Sequence, residues 1–311
     1  MKLSKLFSFS ILGIISIFAL SACRDVRIDQ HKDWGKVFEK YGITEGAFEY
    51  YDNNKERANY YNKDLCSERL TPASTFKIFN SLVALETNVA LDEKLEIKFD
   101  GIKKYYRHGN ILKPEEDTSL GFNYPEWNKD MTMTEAFKIS NVPFYQEVAR
   151  RIGRDKMQDY LDSVQYGNMK IGEQVDNFWL NDTLKISPDE QVGFMKQLYH
   201  DLLPFSARTQ RIVKGMMLQE THEDYKLYYK TGLGFDSKSG KDVVWVVGFA
   251  ETIHRLKNPK TKKIDPIPHP YFFTLCYLVP ENTKDVADTR LKLLYDFLTV
   301  SEIHDYSKDK K

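Results

Sequence analysis

Aromatic and polar residues alternate over residues 46–52 and 57–62, and apolar runs with strand-like composition recur over 227–230, 243–250 and 271–279. A period of two sends successive side chains to opposite faces, so these stretches predict strands drawn from both ends of the chain. Between them the period lengthens. Residues 132–152 and 188–203 carry apolar positions three and four apart, as one helical face requires, and 286–300 predicts a terminal helix. Pro143 is expected to break the first of these. The pattern predicts an α/β chain of the α+β type: an antiparallel sheet from both chain ends, helices on its faces, and a helical insertion over roughly residues 90–220. No repeat or low-complexity linker divides it. One domain over residues 34–303 is expected, with 23–33 as a tether and 304–311 as a charged tail.

The amino terminus has a different pattern. Lys2 and Lys5 precede an apolar run over residues 6–20, and Leu20, Ser21, Ala22 and Cys23 follow the form of a bacterial lipoprotein processing box. The run is short for a permanent span. Removal of residues 1–22 and lipid attachment at Cys23 are expected, giving an exported lipoprotein held to a membrane on the periplasmic side. A plain secretory signal with an incidental cysteine is the alternative.

Composition narrows the functional classes. The 311 residues carry 45 acidic and 45 basic side chains, and the lysines and arginines are scattered, so no whole-chain field attracts nucleic acid. Beyond Cys23 only Cys66 and Cys276 remain, both in strand-like surroundings; a disulfide and two buried thiols are both open. His222 and Glu223 lack a second histidine four residues on, and the other histidines are dispersed. Surface or loop roles are expected for them, with no metal site.

Four clusters offer the groups that acyl transfer at a serine needs. Ser74 and Lys77 stand three apart at a predicted helix start, hence on one helical face. Lysine can serve serine as a base only when neutral or modified, which demands burial, and Phe76, Ile78, Phe79, Leu82 and Val83 supply apolar surroundings. The spacing alone decides nothing, because Ser307 and Lys310 repeat it in the charged tail. Ser140, Asn141 and Val142 fall at a helix-to-loop break, Tyr166, Gly167 and Asn168 read as a turn, and Lys230, Thr231 and Gly232 read as a strand end where a cation and a hydroxyl can hold a carboxylate.

In order and separation these clusters, together with Phe178, Trp179 and Leu180, resemble the class D serine β-lactamases, the oxacillinase type, from about residue 34 to 300. The resemblance implies the β-lactamase and penicillin-binding transpeptidase fold and hydrolysis of β-lactam antibiotics. It implies Ser74 as nucleophile and Lys77, carboxylated by carbon dioxide or bicarbonate, as general base for acylation and deacylation, with no other cofactor. Val142, Tyr145, Trp179 and Leu180 would line the carbamate pocket. Ser140 would relay a proton with Lys230 nearby, Ser74 and Leu233 would give backbone N–H groups to the oxyanion, and Thr231, Gly232 and Arg290 would bind substrate. Tyr166, Gly167 and Asn168 would have an architectural role. A charged insertion over 256–265 and the loop 103–117 are less typical and bear on substrate range. A non-hydrolytic β-lactam sensor and a cell-wall D,D-peptidase are the alternatives. The peptidases usually carry asparagine where this chain has Val142.

Overall fold

The structure is a computed structural model that describes residues 28–107, 110–112, 123–257 and 259–306. Cys23 and the rest of the expected leader lie outside the described residues, as do 307–311. The strands are β1 (Ile28–His31), β2 (Glu45–Asp52), β3 (Arg57–Tyr61), β4 (Glu96–Ile97), β5 (Tyr106–Arg107), β6 (Asn110–Ile111), β7 (Met131–Thr132), β8 (Leu218–Thr221), β9 (Tyr225–Asp236), β10 (Lys241–Lys257) and β11 (Ile264–Pro280). The α-helices are α1 (Gly35–Glu39), α2 (Lys63–Ser67), α3 (Lys77–Glu86), α4 (Met133–Lys138), α5 (Val142–Ile152), α6 (Arg154–Val164), α7 (Pro188–Tyr199), α8 (Ala207–Met217) and α9 (Val286–Val300).

Seven of the described strands form one sheet in the order β1-β3-β2-β11-β10-β9-β8, so both chain ends do build it. It is mixed rather than purely antiparallel, because β1 runs parallel to β3. The central strands are buried on both faces. Along β10, Val243, Trp245, Val247 and Phe249 pack towards the helical layer, whereas Val244, Val246 and Ala250 pack into a second core with α1 and α9. Burying an aliphatic or aromatic side chain of this size contributes about 1.5–3 kcal/mol, and this explains a run that is apolar at consecutive positions. Phe297 of α9 stacks on Phe48 of β2 with centroids 4.3 Å apart, closing the second core.

Several boundaries differ from the sequence reading. Pro143 does not break a helix; it sits in the first turn of α5, where its missing N–H removes no helical bond. The break lies before it, at Ser140 with φ 63°, and Asn141 restarts the helix by accepting from Phe144 N at 2.8 Å. α7 opens with a capping box between Ser187 and Glu190 but stops at Tyr199, and Asp201 then turns left-handed. Lys230 is mid-strand, since β9 runs through Gly232 and Gly234 to Asp236. Cys66 lies in α2 rather than a strand; it and Cys276 are both buried and form no disulfide with each other, and Cys66 Sγ donates to the Tyr61 carbonyl at 3.5 Å. Residues 304–306, expected in the tail, pack instead: Tyr306 donates to Glu220 at 3.1 Å, and its hydroxyl oxygen lies 3.0 Å from that of Tyr225. His269 is also no surface histidine, being buried with Nε2 2.6 Å from Asp52.

Candidate active site

Ser74 lies in a single 3-10 turn, Ala73–Phe76, whose Ala73 has φ 48°, a left-handed conformation that side chains disfavour. Surrounding bonds hold the turn. The Ala73 N–H donates to the Trp179 carbonyl at 3.1 Å, and Thr75 donates to the Pro72 carbonyl through N–H at 3.1 Å and through Oγ1 at 2.7 Å. Behind it, Nε2 of buried Gln191 donates to Oγ1 of Thr75 at 3.0 Å and to the Tyr166 hydroxyl at 3.4 Å. Sequence reasoning missed Gln191. The available signal was a glutamine in line with Phe194, Met195 and Leu198, on the apolar stripe of a helix.

Lys77 opens α3, wholly buried, with Nζ 2.7 Å from Oγ of Ser74. Loss of water around the ammonium pushes its pKa down to about 7, so a large share of the amine is neutral at neutral pH. The Tyr145 ring lies 5.6 Å from Nζ, and its hydroxyl is 2.9 Å from Ser81 Oγ. Trp179 stacks on Phe76 at 5.2 Å, and its buried Nε1–H has no hydrogen-bond partner among the described residues. Such an unmet donor costs roughly 1–3 kcal/mol. Leu180 is buried and Val142 half-buried in the same apolar cluster.

Lys230 reaches across from β9 and donates from Nζ to Oγ of Ser140 at 2.7 Å. Burial first, then the charges of Lys77 and Arg290, hold its pKa well below the ordinary lysine value. Arg290 on α9 is largely enclosed near Tyr124, Tyr229 and Tyr277 rather than solvated, and its Nε has no hydrogen-bond partner among the described residues. Arg290 stays charged at neutral pH, and its field favours an anionic ligand in the cleft. Thr231 and Gly232 lie beside Lys230 on β9, and Leu233 is 41% exposed. A Cβ on Gly232 would come within 3.1 Å of the Pro72 carbonyl oxygen, and one on Gly234 within 2.9 Å of the Ala73 Cβ. The strand backbone therefore abuts the serine turn. From residue 229 to 236 β9 pairs with β10 alone, since β8 leaves it at Tyr228, so its other edge can receive an extended ligand.

Tyr166, Gly167 and Asn168 form a buried brace. Asn168 accepts from Lys185 N at 3.0 Å and donates to the Thr183 carbonyl at 2.9 Å, fixing the chain just past Trp179. Gly167 has φ 55°, and a Cβ there would lie 2.1 Å from the Lys185 carbonyl oxygen. Gly167→Ala is expected to cost about 2–3 kcal/mol, lowering the melting temperature by on the order of 5–10 °C in a thermal scan; an unchanged melting temperature would contradict this packing.

Among the described residues no group of three or more His, Cys, Asp or Glu side chains is placed to hold a metal ion. The penicillin binding protein transpeptidase domain family matches residues 44–257. The chain is 36% identical to beta-lactamase OXA-48 of Klebsiella pneumoniae, over 71% of its own length and 76% of that protein. The chain belongs to the class D β-lactamase family. The fold agrees: a class D β-lactamase from Sebaldella termitidis ATCC 33386 superposes with a TM-score of 0.72 at 30% identity, over 89% of this chain and 99% of that one. The C-terminal domain of the Bacillus licheniformis BlaR penicillin receptor shares the fold, with a TM-score of 0.73 at 24% identity, over 90% of this chain and 98% of that domain. In this class D β-lactamase fold, the sheet edge and the helical layer bring Ser74, Lys77, Ser140 and Lys230 into one cleft, with Arg290 within electrostatic reach of Lys230.

Proposed function

We propose that the chain hydrolyses β-lactam antibiotics through a covalent ester on Ser74, with Lys77 acting in its carboxylated form. The observation that carries this reading is the buried Lys77 amine, 2.7 Å from Ser74 Oγ with its pKa pushed down to about 7, in the apolar cluster that holds the unmet Trp179 N–H. A neutral amine can take up carbon dioxide, and Trp179, a pure donor, suits a carbamate oxygen in a pocket closed by Val142, Tyr145 and Leu180. Once carboxylated, Lys77 supplies an anionic base beside the serine hydroxyl.

The chain's own groups account for the remaining steps. Ser74 Oγ bonds to the lactam carbonyl carbon and the ring C–N bond breaks. The leaving nitrogen takes a proton by way of Ser140, hydrogen-bonded to Lys230. Backbone N–H groups of Ser74 and Leu233 stabilise the oxyanion, a reading supported by the close approach of β9 to the serine turn. Thr231, Gly232 and Arg290 hold the substrate carboxylate. Water then cleaves the ester and restores Ser74. In the same reading residues 1–22 are removed, Cys23 carries lipid on the periplasmic side of a membrane and no metal takes part; Ile28–His31, expected in the tether, pair with β3 in the sheet, so only 23–27 are left to link the lipid to the catalytic domain.

The test is steady-state hydrolysis of a penicillin and a chromogenic cephalosporin, with and without bicarbonate. Multiple turnovers that rise with bicarbonate are expected. One acyl group per chain without turnover would overturn hydrolysis and favour a sensor.

A further inference from the structure

The β10–β11 hairpin outgrows the sheet. β10 last pairs with β9 at Thr252 and Tyr225, and β11 last pairs with β2 at Tyr271 and Asp52. From Ile253 opposite Pro268 to Lys257 opposite Ile264 the two strands form a ribbon roughly 16 Å long, tied at its base where Ile253 N–H donates to the Asp224 carbonyl at 2.9 Å, Asn54 Nδ2 donates to the Pro268 carbonyl at 3.2 Å and Arg255 meets Glu223 and Asp224. Its tip is chemically distinct. Residues 259–268 are all exposed and hold Lys260, Lys262 and Lys263 against one acid, Asp265, in a chain of zero net charge. Ile264 and Ile267 are 63% and 41% exposed beside them. Apolar side chains flanked by lysines at a projecting tip fit a surface with anionic headgroups above an apolar interior.

Strand register adds an independent argument. Ile28 pairs with Arg57, Arg57 with Asp52 and Asp52 with Tyr271, so the described chain begins at the end of the sheet from which the ribbon projects. The two are three strand spacings apart, roughly 14 Å. Ile28 follows Cys23 by about five residues, which span at most roughly 18 Å, so a lipid at Cys23 holds this end of the sheet at the membrane. Ile28 is itself 52% exposed there.

We propose that the ribbon tip docks on the anionic lipid surface of the membrane that holds the chain, its lysines meeting headgroup phosphates and Ile264 and Ile267 entering the headgroup boundary. This rests on the reading of Cys23 as lipid-bearing. The contact adds a second point of attachment to the lipid at Cys23 and so fixes the catalytic domain's orientation.

The test uses the full processed, lipid-bearing chain in vesicles of phosphatidylcholine alone or with about a quarter phosphatidylglycerol, and a water-soluble amine-acylating reagent read by peptide mass spectrometry. With phosphatidylglycerol, labelling of Lys260, Lys262 and Lys263 is expected to fall by at least about fivefold and to return at high salt, while exposed Lys156 and Lys170 are unaffected. Joint Lys262→Glu, Lys263→Glu and Ile264→Ser substitution should restore labelling of Lys260 while the chain still floats with both vesicle types. Flotation with both vesicle types but equal labelling in both overturns the docking and leaves the lipid anchor standing. Failure to float with phosphatidylcholine vesicles overturns the anchor and the proposal with it. Protection already present in detergent, without anionic lipid, overturns the proposal in favour of a second copy covering the tip.

Discussion

Ser74→Ala is expected to lower β-lactam turnover by about 10⁵-fold and to abolish the acyl adduct in intact-mass spectra, because the substitution removes the atom that forms the ester. Residual catalysis would come from substrate positioning and oxyanion stabilisation, which the backbone still provides. The fold should survive. Among the described residues Ser74 makes one side-chain bond, to Lys77, and the turn is held by Ala73, Thr75 and Gln191. A folded Ser74→Ala protein that still turns over a penicillin would sink the covalent reading.

Lys77→Ala is expected to cost about 10³-fold in turnover, within the usual contribution of a positioned base, and to leave acylated protein accumulating as deacylation stalls. Wild-type turnover should fall as pH drops through about 7, where Lys77 takes up a proton. Stability shows the same group in reverse. The folded pKa lies below the unfolded value of about 10.4, so the unfolded chain binds the extra proton between them, and stability rises with pH over that window. Lys77→Ala should reduce that rise in denaturant titrations from pH 7 to 10. Unchanged turnover in Lys77→Ala would remove lysine from the mechanism.

Legibility in the sequence followed the strength of each local signal. α9 was read at its observed limits because its helical period runs unbroken through Val286–Val300. β11 was read from residue 271 although it starts at Ile264, because Pro266, Pro268 and Pro270 argue against a strand. Two residues apart, they all face one edge, and beyond Asp52 that edge has no strand to serve. The serine, lysine and tryptophan of the site could be found in order along the chain. Their support could not, since Gln191 meets Thr75 across 116 positions of sequence.

The glycines of β9 also constrain how this protein can change. Gly232 and Gly234 press on the turn that carries Ser74, so a side chain at either would push against Pro72 and Thr75 or against Ala73, the residues that flank the serine. Leu233 between them is exposed and free of that restriction. New substrate preferences along this edge must therefore be acquired one residue at a time and through position 233, while its two neighbours hold still.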